Sequence, residues 1–247
     1  MRKFLVIAVI ALAIAGGWFV FARGDEPTGN SSTTSSHKKA SFNKKQFSLD
    51  DSSSLWVIAN KKRPLEPQSY KPSDLVAPDV PLRLSASYEE MQMRAEAATA
   101  IEQMFAGAKT AGLNLMVSSA FRSYSYQRTL YNGYVKSQGR AVADTQSARP
   151  GYSEHQTGWS IDIGATSHEC QIEECFGTMP EGQWAAANAY KYGFVIRYPQ
   201  NKQATTGYIY EPWHLRYVGK ALTQEIHNQG NPTLEEFFGL PAAPDYK

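Results

Sequence analysis

Apolar residues recur every three or four positions from Met91 through Ala95, Ala98, Ile101 and Phe105 to Ala108, the spacing of one face of an α-helix. Ser87-Tyr88-Glu89-Glu90 stands ahead of that run as a capping box and Gly112 stands behind it, so the pattern predicts an amphipathic helix ending at Gly112. Its aliphatic and methionine side chains read as core. Residues 113–120 then alternate, which predicts a strand delivering the chain to Phe121-Arg122-Ser123. Further helices are expected over 124–137, over 184–192 with Gly193 as the stop, and over 217–228. Short strands are expected over 194–198 and 208–210. Helices and short strands mix without the rhythm of a doubly wound sheet and without an internal repeat, so the expected fold class is α+β.

The N-terminus departs from this pattern. Arg2 and Lys3 precede an uncharged apolar run over residues 4–22, closed by Arg23-Gly24-Asp25-Glu26. Such a run is an export signal with its positive flank kept inside. Its length approaches the roughly 20 residues that span a bilayer, so an uncleaved anchor is the first expectation. Cleavage is the alternative, because Ala13-Ile14-Ala15 and Val20-Phe21-Ala22 both offer small residues in the pattern a signal peptidase accepts. No cysteine follows the run to carry a lipid. Residues 29–36, GNSSTTSS, lack apolar side chains and read as a flexible tether. The expected organisation is a signal-anchor or signal peptide over 1–23, a Ser/Thr-rich linker over 24–50, and one domain over 51–247 facing the cell envelope outside the cytoplasm.

Composition narrows the partners. With 42% hydrophobic and 19% charged residues, the chain can bury a core and is not globally disordered. The net charge of +2 selects no partner. Lys38, Lys39, Lys44, Lys45, Lys61, Lys62 and Arg63 are scattered through the polar N-terminal third, so they read as solvated or as touching an anionic envelope surface. No nucleic-acid motif accompanies them, and a monomer that binds no nucleic acid is expected.

The two cysteines, Cys170 and Cys175, sit in a loop-like segment over 166–182. A location outside the cytoplasm permits a disulfide between them, which would constrain the unfolded chain by roughly 2 kcal/mol and pin one loop. The alternative is a second metal site with His168, for which no further ligand stands at structural-zinc spacing.

The chemistry concentrates in three short stretches. In SEHQTGWSID, residues 153–162, His155 and Asp162 flank Gly158; alone they read first as a polar loop residue and a turn or cap. Glu211-Pro212-Trp213-His214 adds a second histidine and a carboxylate. Two imidazoles and one carboxylate with a position left for water make up a hydrolytic zinc centre. Glu211 would then be free as a base, its alternatives being a surface charge or an acceptor behind a ligand imidazole. Residues three apart on a flat strand face opposite ways, so this stretch must be irregular or begin a helical turn. Arg122, leaving a strand end, is placed to clamp a carboxylate or polarise a carbonyl, or else to make an ordinary surface ion pair.

Taken together, Ser153-x-His155-x-x-Gly158-x-x-x-Asp162 and Glu211-x-Trp213-His214 resemble the VanY-like D-alanyl-D-alanine carboxypeptidases. These belong to the LAS zinc metallopeptidases, the superfamily of lysostaphin, D-Ala-D-Ala carboxypeptidase and sonic hedgehog. The chain is also similar to L,D-carboxypeptidases of the LdcB type. The resemblance runs over residues 55–240, taking in Ala59-Asn60-Lys61, Pro64-Leu65, Tyr70-x-Pro72-x-Asp74-Leu75, Pro150-Gly151 and Arg216-Tyr217-Val218-Gly219. It implies a single small domain with a central, mostly antiparallel sheet flanked by helices. It further implies one Zn2+ held by His155, Asp162 and His214, Glu211 as catalytic base, and Arg122 binding substrate near the scissile carbonyl. Gln127, Ser153 and Tyr198 would complete the substrate pocket. The implied substrate is a peptidoglycan stem pentapeptide that loses its C-terminal D-alanine. L,D-cleavage of tetrapeptide stems is the nearest alternative, followed by cross-bridge endopeptidase action and a non-catalytic cell-wall binding module. Trp159 and Ser160 depart from the smaller aliphatic residue and alanine that similar sequences carry there.

Overall fold

The computed structural model describes residues 42–246. The apolar run over 4–22 and the tether over 29–36 lie outside them. Among the described residues no helix is long and apolar enough to cross a membrane.

Two small strands, β1 (Leu75–Val76) and β2 (Met93–Arg94), pair antiparallel and lead into α1 (Ala95–Thr110). Next come β3 (Leu115–Ser119), α2 (Tyr124–Gln138), α3 (Arg140–Gln146) and β4 (Ser160–Ala165). The chain continues through α4 (Pro180–Asn188), β5 (Phe194–Tyr198), α5 (Gln203–Thr206) and β6 (Glu211–Tyr217). It closes with α6 (Lys220–Asn228) and α7 (Leu234–Phe238). A four-stranded antiparallel sheet in the order β3-β4-β6-β5 forms the centre, with helices around it. This is the expected α+β architecture.

Helix α1 begins later than the capping box suggested. Ser87-Tyr88-Glu89-Glu90 instead enters a 3-10 turn over Glu89–Met91, and Tyr88 makes no side-chain cap. Met93 and Arg94 are taken by the pairing with β1, Arg94 N–H also donates to Gly158 O (3.1 Å), and only after them can the helix start. The apolar face of α1 (Ala97, Ala98, Ile101, Met104, Phe105, Ala108) packs into one core with Val117, Ile161, Ile163 and Leu215 of the sheet. Alternation explains the sheet's other face: with Ile161 and Ile163 of β4 turned into that core, Ser160 and Asp162 point the opposite way.

A smaller cluster joins Trp56 and Ile58 to Val218, Leu222, Ile226, Leu234 and Phe237. Phe42 stacks on Trp56 at 5.7 Å, and Leu49 packs against the same cluster. Packing thus reaches back into residues 42–50, which composition had assigned to the linker. Tyr208–Tyr210 is irregular rather than a strand; the strand starts at Glu211, and α6 starts at Lys220 because Tyr217 still belongs to β6. Cys170 and Cys175 are joined as a disulfide, which leaves no thiolate for a metal at that loop.

Candidate active site

Three backbone devices bring the sequence-predicted residues together. The 3-10 turn Glu154–Thr157 carries His155 and closes on Gly158, whose φ of +72° is left-handed. A Cβ there would lie 2.8 Å from Arg94 Cγ, so only glycine lets the turn feed directly into β4. A register shift in β3 between the pairs Val117↔Ile163 and Ser119↔Asp162 ends that strand's regular pairing beside Asp162. On the other side Asp162 pairs with His214.

The third device answers how Glu211 and His214 can share a face. From the pair Ile196↔Leu215 to the pair Tyr198↔Glu211, β5 advances two residues while β6 advances four. The extra backbone in β6, around Pro212, is a bulge. It turns Glu211 Oε2 to within 3.4 Å of His214 Nδ1.

The resulting geometry has the form of a cation site. His155 Nδ1 lies 2.6 Å from Ala120 O. A carbonyl only accepts, so Nδ1 carries the proton and Nε2 presents its lone pair, 3.3 Å from Asp162 Oδ1. His214 presents Nδ1, 3.4 Å from the same Asp162 oxygen, and turns Nε2 toward Glu154 Oε2 at 3.7 Å. Ligand atoms of His155, Asp162 and His214 all lie within 4.8 Å of one another, and all three residues are buried. His155 Nε2 and Asp162 Oδ1 have no hydrogen-bond partner within the protein. Buried polar atoms are rarely left so, and a shared cation would satisfy both. Two neutral imidazoles and a carboxylate with an open side fit a catalytic zinc ion.

The charges agree. Burial, aided by Arg122, pushes His155 down to about 4, keeping it neutral. Burial also opposes charge on Asp162, but His155, His214 and Arg122 outweigh it and hold the carboxyl at about 2. For His214 burial is overcome by Glu154 and Glu211, which lift it to about 9. The same carboxylates that favour a proton on His214 favour a cation held in its place. Burial raises Glu211 above the usual carboxylate range, the direction that makes a carboxylate a better proton acceptor.

A cleft of about 380 Å³ opens over this cluster. Arg122, Ser153, Tyr198 and Glu211 line it. Arg122 Nη2 is 4.0 Å from Asp162 Oδ2, and its Nε is buried without a partner. The Tyr198 ring lies 4.8 Å from the His214 ring. Gln127 is not in the wall: it is fully buried and donates from Nε2 to Ser147 Oγ (3.1 Å) and Ala148 O (2.7 Å). It fixes residues 147 and 148, which do line the cleft. Of the two departures, Trp159 packs away from the cluster, against Arg94 (4.3 Å) and Tyr217 (5.8 Å), whereas Ser160 stands behind it, bonded to Glu154.

Sequence reasoning passed over the support behind His214. Glu154, fully buried, accepts from Arg197 Nε (2.8 Å) and Ser160 Oγ (3.2 Å) and lies 3.3 Å from Arg216 Nη1. Arg197 also donates to both carboxylate oxygens of Glu235. The signal was present in FVIRY and HLRY, where one arginine interrupts an apolar run: a charge in the middle of a buried strand needs a buried partner.

An antiparallel sheet with a buried His/Asp/His cluster, a flanking glutamate and an arginine in one cleft defines a metallopeptidase-like site. Residues 90–220 match the family model described as VanY, D-alanyl-D-alanine carboxypeptidase, and the chain belongs to this carboxypeptidase family. It is 36% identical to YodJ of Bacillus subtilis (strain 168), which carries a carboxypeptidase name, over 95% of this chain and 94% of that one. Among solved structures it resembles the LD-carboxypeptidase LdcB, at 43% identity and a TM-score of 0.72, covering 76% of this chain and 87% of that one. It also resembles the vancomycin resistance D,D-pentapeptidase VanY from a VanB-type cassette in complex with Zn(II). That match has 28% identity and a TM-score of 0.59, covering 76% and 99%.

Proposed function

We propose that this carboxypeptidase is a zinc-dependent L,D-carboxypeptidase that removes the C-terminal D-alanine from tetrapeptide stems of peptidoglycan. The observation that carries the proposal is the gradient of similarity: 43% identity to the LD-carboxypeptidase LdcB against 28% to the D,D-pentapeptidase VanY, over the same share of this chain. The D,D reading expected first from the sequence keeps the support of the family description and of the Enterococcus faecium D-alanyl-D-alanine carboxypeptidase, 32% identical over 73% of this chain. Both reactions use the same centre and differ in the configuration of the residue ahead of the scissile bond. Export to the envelope, by an anchor or a cleaved signal over 1–23, is part of the proposal and rests on the charge and apolar pattern there.

In this proposal His155 Nε2, Asp162 and His214 Nδ1 hold the ion. When bound, a zinc ion supplies Lewis-acid polarisation and makes water more acidic. The protein's own residues move the proton and orient the peptide. Glu211 takes a proton from the attacking water and passes it to the leaving amine of D-alanine. The unpartnered Arg122 Nε donates to the scissile carbonyl oxygen as charge builds there. Ser153 and Tyr198 shape the walls.

The test is mass spectrometry of tetrapeptide and pentapeptide muropeptides incubated with the purified protein, with and without a zinc chelator. Loss of one alanine from the tetrapeptide, blocked by the chelator, is the expected result. Loss from the pentapeptide alone would move the protein to the D,D class, and no loss from either would remove the carboxypeptidase proposal.

Linkage makes a second prediction. His214 is lifted to about 9, so the metal-free folded state binds more protons than the unfolded chain from about pH 6.5 upward. Its contribution to stability is therefore full below the unfolded value and fades as pH rises toward 9. His155, held at about 4, acts oppositely: its contribution is present above about 6.5 and is lost as pH falls toward 4. Thermal unfolding of chelator-treated protein is thus expected to peak near pH 6.5. His214 would hold a zinc ion through Nδ1 in place of that proton, so the zinc-loaded protein should lose the alkaline fall. An identical alkaline fall with and without zinc would contradict the assignment of His214 as a ligand.

A further inference from the structure

Arg83 stands in the wall of the same cleft, and none of the steps above uses it. Its backbone N–H donates to Val117 O (2.9 Å) and its Nε to Ser118 O (2.7 Å). Both bonds fix it to the end of β3, where Ser119 pairs with Asp162 and Ala120 O holds His155. Arg83 is therefore held in register with the reacting centre by one edge of its guanidinium.

The other edge is free. Among the described residues, six arginines lie within ion-pair reach of a carboxylate: Arg63, Arg94, Arg122, Arg149, Arg197 and Arg216. Arg128 and Arg140, like Arg83, do not, but they are exposed. Arg83 is half-buried, lines the cleft, and shares the neighbourhood of Tyr126 with Arg122. Arg122 is committed to the centre, beside Asp162. A second guanidinium, anchored at Nε with both terminal nitrogens open, matches a carboxylate in shape and charge.

We propose that Arg83 binds a carboxylate of the stem peptide upstream of the scissile bond, and so selects stems that carry one. The proposal rests on the stem-peptide reading above. Two groups could supply that carboxylate: the side chain of a diaminopimelate at the third stem position, or the free α-carboxylate of a γ-linked D-glutamate at the second.

Steady-state kinetics of wild type and Arg83→Gln on three tetrapeptides separates them. One stem carries both carboxylates, one has lysine at the third position, and one has isoglutamine at the second. On the first, Arg83→Gln should lose about 10- to 100-fold in kcat/KM, mostly through KM, the worth of a charge-assisted pair. On the stem that lacks the recognised carboxylate the loss should be several-fold smaller, which identifies the group. Arg83→Lys should restore part of the loss on the acidic stem. An equal loss on all three stems would overturn the proposal and assign Arg83 to the C-terminal carboxylate or to the fold; a loss under about 3-fold on the first would overturn it as well. Thermal unfolding and zinc content measured alongside separate a misfolded variant from a lost contact, and Arg83→Lys then carries the comparison. If wild type turns over no tetrapeptide, it is the L,D reading that fails, and the same three-stem comparison is made with pentapeptides.

Discussion

Glu211→Gln is expected to lower kcat by about 10²- to 10⁴-fold, the range general acid–base catalysis contributes, while zinc content and the unfolding temperature stay as in wild type. The substitution keeps the volume and one oxygen of the side chain but removes its capacity to accept a proton. Stability should survive, because burial disfavours the Glu211 charge and a neutral amide relieves that penalty. The change is informative because Glu211 Oε2 sits 3.4 Å from the same His214 Nδ1 that faces Asp162. A fourth ligand at that position would make zinc content fall with turnover, whereas a base would not. His214→Ala is the companion measurement and should lose both zinc and activity. Turnover within tenfold of wild type in Glu211→Gln would remove the assigned base.

Much of this site was legible in the sequence because it is local. The SEHQTGWSID stretch compresses turn, left-handed glycine and strand into ten residues, so once the second histidine of EPWH joined the motif, local backbone geometry sufficed to set His155 and Asp162. The pattern of α1 and of β5 was readable for the same reason, as a periodic face against a core. What escaped depends on pairing across the sheet. Spacing alone required an irregularity between Glu211 and His214, but its form, a bulge, is a mismatch between two strands, and neither strand contains it alone. The family resemblance placed Gln127 in the pocket wall, yet one helical turn carries it into full burial beneath residues 147 and 148. Arg83 gave no signal, since its importance lies in which backbone carbonyl holds it and which partners it lacks.

Removing Arg197 is expected to have the largest effect on stability. Glu154, Arg197, Arg216 and Glu235 form a buried set of two positive and two negative groups, with both Arg197 pairs fully enclosed. In Arg197→Met the surviving Arg216 faces Glu154 at 3.3 Å, so Glu235 is left without its cation, and a buried carboxylate stripped of its partner costs about 3–5 kcal/mol. For a domain of this size that corresponds to a fall of about 6–20 °C in Tm. Arg197→Met combined with Glu235→Gln restores charge balance and should recover part of the loss, because the penalty belongs to the unpaired charge. A fall under about 3 °C for the single variant would contradict this account. The same variant should also weaken zinc binding by about 10- to 100-fold, as loss of a group behind a ligand does. The path is direct: Arg197 holds Glu154, and Glu154 faces His214 Nε2, the side of the ring that must carry the proton if Nδ1 is to keep its lone pair for the ion. A buried ion network that is no better than an apolar core for stability is thus explained by what it orients, and a variant that lost stability without losing zinc affinity would show the two roles to be separate.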